Sequence, residues 1–148
     1  MKKWMNLALL VLLFSTGAFG QVRKIPASVT EAFSKKYPTA LDVEYRDVLT
    51  SVNVHFNQDS AKWIARYSPK GVWKETEKEW SFDRLSPEIK DGFSKSKFAN
   101  EWKVTETAVI YLPSGEERYR LKAEKSDLQK KYLYFDKSGR LLRDSLTL

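Results

Sequence analysis

The chain has 148 residues, with 26 Lys and Arg against 19 Asp and Glu, one His, no Cys and 14% aromatic residues. That length suits one ordinary domain or two small repeats and excludes a large multidomain enzyme. With no Cys there is no disulfide, thiolate metal site or Cys nucleophile, and a single imidazole excludes any site built on two histidines.

The first twenty residues read as a secretory signal. Lys2 and Lys3 form a positive start, Leu7 to Phe14 an apolar run, and Ala18-Phe19-Gly20 the small-residue end. Cleavage is predicted between Gly20 and Gln21. The apolar run would reach only about 12 Å into a hydrocarbon core of about 30 Å, too short for an anchor. No later segment is long and apolar enough to span. Removing these residues, two lysines among them, leaves 128 residues and a net charge of +5. Export without cysteines fits a bacterial periplasm or cell exterior. Five Trp, seven Tyr and eight Phe carry enough apolar area to argue for an ordered fold.

The remainder repeats itself. Ile25–Lys35 matches Leu85–Lys95 at an offset of 60, through Ile25/Leu85, Val29/Ile89, Phe33/Phe93, Ser34/Ser94 and Lys35/Lys95. Arg66–Trp73 matches Tyr134–Leu141 at an offset of 68, so the drift falls in a loop or a longer hairpin of the second copy. Each copy opens with a helix. Val29, Ala32, Phe33, Lys36 and Tyr37 share one face at period 3.6, and Pro38 ends it. In the second copy Ser86 is the expected N-cap, with Pro87 at the first helical position. Gly92 stands where Ala32 stands and weakens that helix by about 1 kcal/mol. Close approach by a neighbour and neutral drift are both open as its reason.

Period-2 alternation then predicts strands over Asp42–Asp47, Ser51–Phe56, Lys62–Tyr67 and Val72–Glu79. The second copy predicts them over Glu101–Tyr111, Arg118–Glu124, Lys131–Phe135 and Arg140–Leu146. Ser68-Pro69-Lys70-Gly71 and Asp136-Lys137-Ser138-Gly139 read as type I hairpin turns with a glycine bulge, and Pro113-Ser114-Gly115 as another turn. The expected fold is α+β: two tandem α-β-β-β-β repeats, residues 21–80 and 81–148, packed as one domain. They would form an antiparallel sheet with both helices on one face, leaving the other open to water.

These features resemble the PepSY-like, beta-lactamase-inhibitor-like proteins of bacterial envelopes. The resemblance rests on the signal, on Phe33…Tyr37-Pro38-Thr39-Ala40 before a strand at Val43, and on the strand–turn–strand units Ala65–Trp73 and Leu133–Leu141. The tandem plan is also similar to that of the beta-lactamase inhibitor protein. That protein carries disulfides this chain cannot form, and none of its target-contacting residues matches a position here. The resemblance implies an envelope protein and no particular activity.

Alternation also assigns the faces. Val52, Val54 and Phe56 point to the core, leaving Asn53 and His55 outward; Tyr119, Leu121 and Ala123 point in, leaving Arg118, Arg120 and Lys122 out. Leu133 and Phe135 are core, so Tyr132 and Tyr134 face outward beside the basic row. Tyr132, Tyr134, Arg118, Arg120, Lys122 and His55 are the candidate partner-binding residues, because rings and arginines supply contact area and fixed donors. The competing reading is that these charges keep an exposed face soluble while the rings cover aliphatic stems.

Other features carry less. Glu75, Glu77 and Glu79 read as a solvated strand face, His55 lacks a companion nucleophile, and Asp136–Gly139 is too short for a calcium loop. Trp63, Trp73, Trp80 and Trp102 read as packing residues. No cofactor, metal or nucleic-acid partner is expected. The resulting expectation is a non-catalytic exported module that recognises an envelope or secreted protein through its open face, an inhibitor being one form of it. The alternative is a factor that holds lipopolysaccharide or a cell-wall polymer on a basic surface.

Overall fold

The structure, a computed structural model, describes residues 24–147. The expected signal sequence and its Gly20–Gln21 junction lie outside the described residues. Helix α1 (Ala27–Lys36) is followed by β1 (Leu41–Val48), β2 (Ser51–Gln58), β3 (Ala61–Tyr67) and β4 (Trp73–Trp80). A single 3-10 turn (Phe82–Arg84) leads to α2 (Pro87–Ser94), β5 (Lys103–Tyr111), β6 (Glu117–Ser126), β7 (Gln129–Asp136) and β8 (Leu141–Leu146). The eight strands form one antiparallel sheet in chain order. The fold is therefore α+β.

The local chemistry explains the boundaries. Tyr37 N donates to Phe33 O at 2.8 Å, the last helical bond before Pro38 removes the next donor. Gly71 and Gly139 sit at φ +79° and +82°, and their N–H groups close turns onto Ser68 O and Asp136 O. In both turns the next carbonyl, Val72 O or Arg140 O, is taken by the first turn residue's N–H. Strands β4 and β8 consequently begin one residue later than alternation alone predicts. Ser86 does occupy the N-cap of α2, but its side chain makes no capping bond, and its hydroxyl oxygen is buried.

Cross-strand register shows that both helices cover the same face. Phe56, Trp63, Lys78, Val109, Tyr119 and Phe135 are paired in succession from β2 to β7 and so share one side of the sheet. At one end of this row α1 buries Val29 and Phe33 against Val52, Val54, Phe56, Ala65 and Tyr67. At the other, Leu85, α2 residue Ile89 and Phe98 pack on Leu121, Ala123, Leu133 and Phe135. Between the two clusters Trp63 stacks on Tyr111 with ring centroids 6.0 Å apart. Trp73, Trp80 and Trp102 also pack against these clusters, as the sequence leads one to expect.

Helices and hairpin turns are interlocked. A Cβ on Gly139 would overlap the carbonyl oxygen of Glu88 in α2, and one on Gly92 would overlap the carbonyl oxygen of Gly139. Close approach is thus the reason for Gly92. The β7–β8 turn lies directly on the helix, and a side chain at either position would push the two apart.

Candidate binding face

The uncovered face follows from the same register. One cross-strand row reads Glu44, His55, Ile64, Glu77, Ile110, Arg118 and Asp136. The next reads Glu79, Ala108, Arg120, Tyr134 and Arg143, and a third Glu106, Lys122, Tyr132 and Ser145. All six candidate residues lie on this face. Arg118, Arg120, Lys122, Tyr132 and Tyr134 form one contiguous group on β6 and β7. His55 does not join them: it sits on β2, with β3, β4 and β5 between. Burial and the nearby Arg46 lower its pKa from the usual range, opposed by Glu44.

The expected basic row is not an uncompensated patch. Arg118 pairs with Glu116 at 2.9 Å, Arg120 with Glu77 at 2.5 Å, and Lys122 with Glu106 at 2.5 Å. The reading of Glu75, Glu77 and Glu79 as a solvated row holds for Glu79, which is exposed, and is corrected for the other two. Glu75 holds Arg66 at 2.7 Å, and the Glu77 side chain is only 15% exposed. Burial raises the Glu77 pKa, with the positive charge of Arg120 pulling it back.

Arg120 reaches Glu77 across the intervening strand. Its direct partner on β5 is Ala108, whereas Glu77 lies opposite Ile110. A methyl group at Ala108 leaves room for the arginine to run diagonally over β5. Ala108 and Ile110 are 2% and 4% exposed although both helices among the described residues pack on the other face. The arginine is also stacked, with Cζ 4.4 Å from the Tyr132 ring centroid, while Arg143 lies 3.8 Å from that of Tyr134.

The Glu77–Arg120 pair separates two hollows. The larger, about 460 Å³, is bounded by Ile64, Trp80, Phe82 and Ala108, with Lys62, Glu79 and Glu106 at its rim. The smaller, about 100 Å³, is lined by Arg66, Arg118, Arg143 and Glu75 over Ile110. Glu77 and Arg120 line both. Among the described residues no cluster of His, Cys, Asp and Glu could hold a metal ion, and no helix is long and apolar enough to cross a membrane. The arrangement offers paired charges, stacked rings and an apolar strip, which are means of gripping a surface.

Sequence reasoning missed Glu77, Arg66, Ala108, Ile110 and Arg143 as members of this site. Ala108, a lone small residue in the run Thr107-Ala108-Val109-Ile110, is the only one with a signal in its own strand. The others become neighbours through register alone.

No family model matches the sequence, and no curated protein matches it. Solved structures do share its fold. A DUF2874 family protein from Bacteroides ovatus superposes with a TM-score of 0.74 at 23% identity, over 82% of this chain and 87% of its own. A candidate periplasmic protein from Bacteroides eggerthii gives 0.74 at 21%, over 82% and 88%. A BLIP-like protein from Bacteroides fragilis gives 0.70 at 23%, over 81% and 85%. At these identities the likeness establishes the fold alone.

Proposed function

We propose that this chain is an exported, non-catalytic binding module of the periplasm or cell exterior that grips a protein through its uncovered sheet face. We also take it to be a PepSY-like chain built of two tandem copies, residues 21–80 and 81–148 packing as one domain. The observation that carries the binding reading is the face itself. Among the described residues the eight strands stay uncovered on one side, yet bury Ala108 and Ile110 there and hold Arg120 and Arg143 against tyrosine rings. Pre-ordered rings and guanidinium groups lose little entropy on binding, which is why they recur at interface centres. The signal pattern and the BLIP-like and periplasmic neighbours support the same reading. The polymer-binding alternative has less support, since Arg118, Arg120 and Lys122 each already face a carboxylate.

The test is recovery of partners from envelope extract by the wild type and by the triple variant Tyr132→Ala, Tyr134→Ala, Arg120→Ala. Loss of a specific protein from the variant is expected, with a much weaker salt dependence than an anionic polymer would show. Equal recovery of every partner removes the face from consideration. Binding that fades steeply with salt favours the anionic polymer instead.

A further inference from the structure

The smaller hollow has a composition that its surroundings do not require. Four arginines, Arg66, Arg118, Arg120 and Arg143, meet there against two carboxylates, Glu75 and Glu77. Two of the arginines are spoken for inside the hollow, by the pairs Arg66–Glu75 and Arg120–Glu77. Arg118 is held from outside it, by Glu116 in the β5–β6 turn, through a pair whose side chains are 39% and 45% exposed. Arg143 stacks on Tyr134 and has no carboxylate among the described residues.

We propose that this hollow receives a carboxylate from an acidic segment of the partner protein; the inference rests on the binding-face reading above and names the chemistry of what is bound. Guanidinium groups are planar forks whose N–H pairs match the two oxygens of a carboxylate. Arg143 is already fixed in direction by its stack on Tyr134, so little freedom is lost when it donates. An exposed pair such as Arg118–Glu116 contributes little on its own, and its arginine can turn to a better-enclosed acceptor. The apolar floor at Ile110 excludes water from one side and strengthens the contact. The volume, about 100 Å³, equals about three water molecules at about 30 Å³ each, which suits a carboxylate head rather than a ring. With Glu116 counted beside Glu75 and Glu77, four arginines face three carboxylates, and a surplus of one positive charge is balanced by a monoanion rather than by a dianionic phosphate.

The experiment is a two-dimensional NMR titration of the exported protein, following arginine Nε–H and Tyr134 ring signals. The probes are a terminally blocked Gly-Asp-Gly-Glu-Gly peptide, its Asn/Gln counterpart and inorganic phosphate. The acidic peptide is expected to shift the signals of Arg66, Arg118, Arg143 and Tyr134 saturably, and to bind at least tenfold more tightly than the neutral peptide. Arg143→Gln should weaken it at least threefold without altering the melting temperature, and Arg143→Lys should fall between. Equal binding of the two peptides, or shifts confined to another surface, overturns the proposal. So does displacement of the peptide by phosphate at lower concentration, which assigns the hollow to a phosphorylated polymer. If the peptide fails while the triple variant still loses its protein partner, the binding face stands and the acidic occupant alone is removed.

Discussion

The guanidinium of Arg120 on β6 meets the carboxylate of Glu77 on β4 at 2.5 Å, across the whole width of β5. The two side chains are 19% and 15% exposed, so neither charge is well hydrated if the other is removed. Replacing one partner leaves a half-buried charge, whereas replacing both removes the problem along with the bond. Glu77→Ala and Arg120→Ala should therefore each destabilise the fold, and the double variant should lose less than their sum. A coupling of roughly 1–3 kcal/mol is expected from urea denaturation of the four proteins. Additive losses would show that the pair does not act as a unit.

Gly139 and Gly115 share φ +82° but differ in surroundings. A Cβ on Gly115 meets nothing, whereas one on Gly139 runs into the backbone of Glu88. Gly115→Ala should cost only the left-handed backbone term, about 1–2 kcal/mol. Gly139→Ala should cost about 1–3 kcal/mol more, because the β7–β8 turn must lift from α2. Denaturation midpoints compare the two directly, and equal losses would mean that turn and helix are not in firm contact.

Thr76, fully buried at the middle of β4, accepts the Trp73 Nε1–H at 2.8 Å and bonds Tyr37 Oη at 2.5 Å. Thr76→Val keeps the shape and leaves both aromatic polar groups without that oxygen, a loss of about 2–6 kcal/mol at about 1–3 kcal/mol per unsatisfied group. Tyr67 is the counterpart. Its hydroxyl is buried with no protein partner, so Tyr67→Phe should change stability by less than about 1 kcal/mol. A large loss in Tyr67→Phe, or none in Thr76→Val, would contradict this division of roles.

Asp136 accepts from Ser138 Oγ, Ser138 N, Arg140 N and Arg140 Nε, and these donors pull its pKa down to about 2. An unfolded aspartate titrates near 3.9. The folded state therefore gains stability from the ionised form above pH ~4 and loses it as pH falls toward 2. Asp136→Asn should be less stable than wild type by a constant amount at neutral pH, and the gap should close between pH ~4 and ~2. Thermal melts across that range measure it. A gap that persists unchanged at pH 2 would assign the effect to something other than this carboxylate.

Most of the architecture was legible in single segments. The face of α1 carrying Val29 and Phe33, the stop at Pro38, the glycine turns and the alternation on β2, β6 and β7 are all local, and each strand appears within two residues or so of its expected bounds. The binding face was legible in part. Tyr132, Tyr134, Arg118, Arg120 and Lys122 face outward as alternation requires, but the carboxylates that pair with the basic residues were not foreseen.

By itself the sequence determined which residues of β2, β6 and β7 point away from the helices, because side chains of an unbulged strand alternate with period two whatever the neighbouring strand is. Only the tertiary structure decided that Arg120 lies over Ala108 and beside Glu77, and that His55 lies apart. Register depends on bulges, such as the one between Val104 and Glu106, and on the packing of two helices against the far side. Neither leaves a mark in any single strand, so the chemistry of the face is a property of the assembled sheet.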